Sequence, residues 1–368
     1  MRRNVMLITG ASGLVGGSVL RLLLQRNPAM EARVLVRDHE RWLRVLARLR
    51  VPVSRVTALA GDVTRPGLGL PAGVRRELAR EVRLVVHAAA DTVFSRPLDV
   101  ARRVNRDGTR HVVELASELH GLERLVYVST AFSAGRRTGD IAEDAHDGAA
   151  GFVNAYEQSK HEAECVVHGS ALPAVIARPS TIVCDSEHGG VTQVNAVHRA
   201  LALQHAGLAP MLPGSATSGV DLVTTSFVAE SLARLCSARD AIGGTFHLCA
   251  GDGAIPLGAL LDRTHDVWSR SDAWRRRAVA KPALADLETY ELFEQTVLET
   301  GDARLRRITR SLSHFAPQLA LPKRFDTSRA TGTTGLHAAP VATWIDRLLE
   351  WVAERRNHAG ELPLAAIG

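Results

Sequence analysis

Val5-Met-Leu-Ile-Thr-Gly-Ala-Ser-Gly-Leu-Val-Gly-Gly-Ser-Val-Leu-Arg-Leu-Leu-Leu24 is the stretch whose reading decides the fold. It opens as a short apolar run, Val5 to Ile8, of strand length. It turns through Thr9, Gly10, Ala11, Ser12 and Gly13, then continues from Leu14 to Leu24 with apolar residues at helical spacing. Glycines stand at 10, 13 and 16. A strand, a glycine turn and a helix, in that order, are what a dinucleotide needs. The first glycine allows the tight turn, the second lets backbone approach the pyrophosphate, and the third lets the helix pack close to the strand. The helix N-terminus then offers free N–H groups and a positive dipole end to the phosphates. The stretch predicts a cofactor cradle made of Gly10, Ser12, Gly13, Leu14, Val15 and Gly16.

The downstream sequence extends this unit into a sheet. Ala32 to Val36 reads as a second strand, followed by Arg37-Asp38. In such folds an acid at this point binds the ribose 2′-OH of NAD, whereas an arginine accommodates the 2′-phosphate of NADP. Arg37 comes first, and Arg44 and Arg48 follow on the next helical stretch, so NADPH is expected over NADH. Val56 to Ala60 is a third strand leading into Gly61, Asp62 and Val63, where Asp62 is placed to reach the adenine. Leu84 to Ala90 is an unbroken apolar strand, as one buried on both faces of a parallel sheet should be. Its Ala88-Ala89-Ala90 end leaves room for the cofactor. His87 beside it is read as a packed histidine, and Asn105 as a holder of backbone geometry behind the site. Leu125 to Val128 and Ala174 to Ala177 are the fifth and sixth strands, with helices starting near Val104 and Asn154 between them. This alternation predicts an α/β protein with a doubly wound parallel sheet of Rossmann type.

After residue 184 the pattern loosens. A helix is expected over 194–206, a strand over 244–249, mostly helical chain over 252–335, and a last amphipathic helix from Val341 to Arg356. The expected division is a cofactor-binding core of residues 1–184 and 220–250. A smaller, mostly helical substrate or lid region of 185–219 and 252–356 completes it, followed by a mobile tail, 357–368.

Composition narrows the partners. The net charge of +6 would suit anionic ligands. However, arginine is spread along the whole chain, and the longest basic run, Arg275-Arg276-Arg277, has no interleaved aromatics. That pattern speaks against nucleic acid. The four cysteines, Cys165, Cys184, Cys236 and Cys249, are scattered without metal-site or disulfide spacing, so no metal centre and a reducing, cytoplasmic setting are expected. The apolar run after Arg2-Arg3 is broken by the glycine turn, which argues against an export signal, and no apolar run is long enough for a membrane span.

The chemistry sits on Tyr156 and Lys160. Four residues apart at a helix start, they share one face. Thr130 ends the fifth strand, and strand ends and adjoining helix starts converge beside the nicotinamide in this fold. A nearby ammonium is expected to pull the phenol below its usual pKa of about 10, making it a proton donor and acceptor near neutral pH. Lys160 would also bind the nicotinamide ribose, and Thr130 would hydrogen-bond a substrate oxygen. Thr130, Tyr156 and Lys160 are therefore the candidate catalytic set. Pro179 and Ser180, after the sixth strand, complete the cofactor-binding candidates.

Taken together these motifs resemble the extended short-chain dehydrogenase/reductases. The matching pieces are Thr9-Gly-Ala-Ser-Gly-Leu-Val-Gly16, Gly61-Asp62, His87-Ala-Ala-Ala90, Asn105-x-x-Gly108-Thr109, Ser129-Thr-Ala131, Tyr156-x-x-Ser-Lys160 and Arg178-Pro-Ser180. Within that superfamily the chain is most similar to the thioester reductase, carboxylic acid reductase terminal domain and fatty acyl-CoA reductase branch. That similarity rests on Val126-Tyr-Val-Ser-Thr-Ala-Phe132, the Arg37 strand end, Asn154-x-Tyr156-Glu-Gln-Ser-Lys-x-Glu-Ala-Glu164 and Arg178-Pro-Ser-Thr-Ile-Val183. The stretch Asp221-Leu-Val-Thr-Thr-Ser226 departs from it, because relatives carry a second acid where this chain has Ser226. The resemblance implies NADPH-dependent reduction of an acyl thioester, carried on coenzyme A or a carrier protein, to an aldehyde, which a second hydride could take to an alcohol. A ketone or alcohol dehydrogenase, or a sugar-nucleotide epimerase or dehydratase, would use the same residues. Arg37 argues against an NAD-linked epimerase. A non-catalytic nucleotide sensor would have no need of Thr130, Tyr156 and Lys160 together.

Overall fold

The apolar runs of the sequence become parallel strands of one sheet in a computed structural model that describes residues 4–359. The strands are β1 (Asn4–Thr9), β2 (Met30–Val36), β3 (Val56–Ala60), β4 (Val82–His87), β5 (Arg124–Val128), β6 (Ala174–Pro179) and β7 (Thr245–Leu248). Their spatial order is β7-β6-β5-β4-β1-β2-β3, every pair parallel. Both faces are covered, and side-chain alternation sorts each strand between them. Met6 and Ile8 of β1, Val126 and Val128 of β5, and Val175 and Ala177 of β6 enter one core. Val5 and Leu7, Leu125 and Tyr127, and Ala174 and Ile176 enter the other.

Helices fill the crossovers. They are α1 (Leu14–Arg26), α2 (His39–Leu49), α3 (Ala72–Glu81), α4 (Gly108–Ser117) and α5 (Ala155–His168). The chain order reverses at β1, which lies between β4 and β2. In such sheets this switch point opens a crevice beyond the carboxyl ends of the strands. Beyond β6 the chain forms α6 (Ala196–His205), α7 (Thr225–Leu235), α8 (Leu257–Trp268), α9 (Leu287–Thr300), α10 (Ala303–Leu312) and α11 (Ile345–Ala359). α7 packs against α1. α11 packs against α8, and buries Ile345, Leu348, Leu349 and Val352.

Several boundaries differ from the sequence reading. β4 stops at His87, one residue before Ala88, whose N–H still donates to the Thr9 carbonyl at 3.2 Å and whose backbone lies against Gly10. The helix expected from Val104 begins earlier, with an α-helical turn Leu98–Arg102 that passes through a π-helical segment, Arg103–Asp107, into α4. The last helix begins at Ile345, after a short 3-10 turn, and runs past Arg356 to Ala359, so the expected tail is helical at its start. The rest of that tail, residues 360–368, lies outside the described residues, as do Arg2 and Arg3. Among the described residues no helix is long and apolar enough to cross a membrane, and the four cysteines are free thiols.

Candidate active site

The glycine turn has a geometry that only glycine fits. Gly10 has φ +73°, and a Cβ there would come within 2.5 Å of the Ala88 backbone. A Cβ at Gly16 would overlap the Gly10 carbonyl. Gly13 differs: the nearest atom to a Cβ there is the Gly10 carbonyl oxygen at 3.3 Å. Its open side therefore faces the crevice rather than protein. Gly13 is also the N-cap of α1, which has no side-chain cap and no acid in its first turn. The terminal N–H groups are left for a ligand, and the dipole end favours an anion. This cradle fits a dinucleotide pyrophosphate.

Behind it, His87 ties β1 to α4. Its Nδ1 lies 2.7 Å from Thr9 Oγ1 and its Nε2 lies 3.0 Å from Thr109 Oγ1. Burial drives this imidazole down to about 3, so it is a neutral structural link, as its position suggested. Asn105, in the π-helical segment, accepts from Asp91 N at 2.8 Å and donates to the Asp91 carbonyl and Ser159 Oγ. It thereby joins the loop after β4 to α5.

The crevice continues into one cleft of about 1640 Å³. Gly10, Ser12, Gly13, Leu14, Val15, Gly16, Ala88, Pro179 and Ser180 line it, as do Thr130, Tyr156 and Lys160. Arg37, Asp62, Val63 and Ala89 are not in its lining. Arg37 is exposed at the end of β2. Asp62 accepts from Thr64 N within its own loop, the Val63 carbonyl accepts from His111, and Ala89 N donates to Thr9 Oγ1. Arg41, Arg44 and Arg48 of α2 do line the cleft. Their spacing of three and four places them on one helical face, a signal readable in the sequence, which extends the expected pair Arg44 and Arg48 to Arg41.

Asn154 starts α5 by accepting from Glu157 N at 3.0 Å. That cap sets Tyr156 and Lys160 on the cleft face. Lys160 is buried, and its Nζ donates to the Val128 carbonyl at 2.8 Å and lies 4.3 Å above the Tyr127 ring. Burial pushes its amine down to about 7, with Glu164 opposing. The expected depression of the Tyr156 phenol is overturned. Burial pushes Tyr156 up to about 12, against the opposing pull of the Thr130 hydroxyl. The reason is directional: the Lys160 ammonium is turned to a carbonyl and another ring, so desolvation of the phenolate wins. A phenol held this way stays protonated at neutral pH.

Two further carboxylates frame the site. Asp221 accepts from Ser180 Oγ at 2.5 Å, Ala250 N at 2.8 Å and Gly251 N at 2.9 Å. It thus fixes the turn after β6 to that after β7. The departure at Ser226 leaves the α7 cap intact, because Thr224 Oγ1 accepts from Phe227 N and contacts Ser226 Oγ. Glu164 accepts from Ser129 Oγ and pairs with Arg178 at 2.6 Å. His146 and His161 stand near it, with potential ligand atoms all within 4.8 Å. Both Glu164 oxygens are already bonded to Ser129 and Arg178, and the guanidinium charge opposes a cation there.

Comparisons with known proteins agree with this geometry. Residues 8–232 match the family described as male sterility protein, an NAD-binding family. The chain is 28% identical over 218 residues to fatty acyl-CoA reductase wat of Drosophila melanogaster, covering 48% of this chain and 42% of that one. It is 29% identical over 264 residues to nonribosomal peptide synthetase asaC of Aspergillus flavus, covering 66% of this chain and 26% of that one. The chain thus spans half or less of these curated relatives. A solved terminal R domain from the myxalamid PKS-NRPS biosynthetic pathway superposes with TM-score 0.78 at 23% identity, over 98% of this chain and 93% of that one. The chain therefore belongs to the male sterility protein family.

Proposed function

We propose that the protein is a cytoplasmic, NADPH-dependent reductase of acyl thioesters. In this reading residues 1–184 and 220–250 hold the cofactor, and 185–219 and 252–356 hold the acyl group. The observation that carries it is the continuity of one cleft. From Thr130 and Tyr156 the lining passes to Leu201, Leu212, Leu257, Leu312, Phe315 and Leu319. An apolar chamber beside a proton donor suits an acyl chain whose carbonyl end meets Tyr156, and suits a sugar nucleotide poorly.

When bound, NADPH supplies the hydride. Gly10, Gly13 and the α1 N-terminus hold the pyrophosphate, and Lys160 holds the ribose. Thr130 and Tyr156 hydrogen-bond the acyl oxygen and favour the negative charge that develops on it. Tyr156 then gives that oxygen its proton, a role matched by its raised pKa. The resulting hemithioacetal breaks its C–S bond to leave an aldehyde and a thiol. Rebinding of the aldehyde at the same groups beside a second NADPH, which would supply the second hydride while a reprotonated Tyr156 supplies the proton, would lead to the alcohol.

The reading is tested by following loss of reduced nicotinamide with a panel of acyl-CoAs, acyl carriers, ketones and nucleotide sugars. Turnover of a ketone with none of any thioester would overturn it. The cofactor preference has its own test. Arg41, Arg44 and Arg48 bring positive charge to the cleft, and Arg37 stands at the adjoining strand end. Replacing Arg44 and Arg48 together with Ala should weaken NADPH binding about 10- to 100-fold, as expected for lost bonds to a charged phosphate. NADH binding should change little, and Arg37→Ala should act in the same direction. Equal losses for both cofactors would refute the 2′-phosphate role.

A further inference from the structure

Beside the proton donor, the chamber carries a connected chain of polar side chains. Glu157 follows Tyr156 in the first turn of α5 and is 1% exposed. Its Oε1 accepts from Gln318 Nε2 at 2.7 Å and Asn154 Nδ2 at 3.0 Å, and its Oε2 accepts from Val153 N at 3.0 Å. With its carboxylate so engaged, Glu157 dictates the orientation of the Gln318 amide: the NH₂ faces Glu157 and the oxygen faces away. That oxygen accepts from Lys323 Nζ at 2.7 Å. Glu157, Gln318 and Lys323 all line the cleft.

Lys323 is aimed by its strand. Residues Lys323–Phe325 pair in parallel with Gly139–Ile141. Alternation turns Lys323 and Phe325 to the cleft, while Arg324 turns outward to Asp140 and Asp252. An ammonium has three donors. Among the described residues Lys323 uses one, on Gln318, and makes no ion pair within 4.0 Å. Burial pushes its amine down to about 8 and the Glu157 carboxyl up to about 7, as expected of charges held away from water. A half-buried cation on a cleft wall has donors to offer to water or to a bound ligand.

We propose that Lys323, held through Gln318 by Glu157, is a binding subsite for an acceptor oxygen of the substrate, positioned from the same helix turn as Tyr156. The inference rests on the thioester reading. Two parts of such a substrate carry that chemistry: the amide carbonyls of a pantetheine arm, and a keto or hydroxyl oxygen on the acyl chain. Lys323 binds the substrate away from the reacting carbon, and Gln318 and Glu157 position it, so loss of Lys323 should act on KM and leave kcat in place.

The test compares wild type with Lys323→Met and Gln318→Leu on four octanoyl substrates: the CoA thioester, the pantetheine thioester, the S-ethyl thioester without amides, and the β-oxo S-ethyl thioester. The expected result is a rise in KM of about tenfold or more for the oxygen-bearing substrates in both variants. The kcat, the cofactor dissociation constant and the plain S-ethyl reaction stay unchanged. Losses on CoA and pantetheine thioesters assign the subsite to the arm, and losses on the β-oxo compound assign it to the acyl chain. Lys323→Arg should restore part of the affinity. A uniform change across all four substrates, or none, overturns the subsite. A wild-type protein that reduces none of them but reduces a ketone overturns the thioester reading itself.

Discussion

Tyr156→Phe is expected to lower turnover about 10²- to 10⁴-fold while cofactor affinity stays within about twofold, as for removal of a general acid. The change deletes one hydroxyl. The ring keeps its place against Phe94, at 5.3 Å between centroids, and the Asn154 cap of α5 is untouched. Thr130 remains to bond the acyl oxygen, so substrate binding should weaken only modestly. With no proton to deliver, the tetrahedral adduct would form as an unneutralised oxyanion in a largely desolvated site. Single-turnover loss of reduced nicotinamide measures the chemical step, and cofactor titration by fluorescence measures binding. A Phe variant that retains near-normal turnover would remove Tyr156 from the mechanism. A variant that loses cofactor binding in parallel would make it a scaffold residue.

That Tyr156 could be singled out from sequence, while its ionisation could not, shows what kind of information local patterns carry. The glycine turn was legible because its whole logic lies within the strand, turn and helix from Val5 to Leu24. The fold followed, because strands buried on both faces must be continuously apolar. That Tyr156 and Lys160 share one face was legible from spacing, since a one-turn separation fixes a shared helical face, and Thr130 was placed beside them by its position at a strand end. Spacing does not say where a long side chain turns. Lys160 bends to the Val128 carbonyl, a partner set by the sheet, and the expected pull on the phenol fails. Glu157 was invisible for a related reason. Its partner Gln318 is 161 positions away, and a glutamate in the first turn of a helix ordinarily reads as a dipole-compensating surface residue. Arg37 stands exposed at the diagnostic strand end, while Arg44 and Arg48 on the helix that follows line the cleft.

Glu164 presents the same difficulty in its strongest form, and carries the largest expected effect on stability. In the sequence it is one acid in a polar helix. In the fold both it and Arg178 are at most 2% exposed, joined by bonds of 2.6 and 3.0 Å, with Ser129 Oγ donating to the same carboxylate. Burial alone would raise this carboxyl, but Arg178 and the hydroxyl donors hold it at about 2. Glu164→Ala should destabilise the protein by about 3–5 kcal/mol, because it leaves a buried guanidinium unpaired. Arg178→Met should cost a similar amount for the opposite reason. Glu164→Leu combined with Arg178→Met should cost less than the sum of the single replacements, since neither charge is then stranded. The pH dependence has a defined sign. A carboxyl depressed on folding contributes its full stability above the ordinary carboxylate range near 4.5 and loses it as pH falls toward 2. Urea titrations at pH 7 and at steps between 5 and 3 should therefore show wild type losing stability with acid, and the double variant losing less over the same window. Additive single costs, or an unchanged acid limb in the double variant, would show that the pair is not the coupled unit its geometry describes. Because Ser129 adjoins Thr130, the same variants should also raise KM for substrate before global unfolding is reached. The ion pair behind the strand end would then be what keeps the acyl oxygen's partners in register with the cofactor cradle.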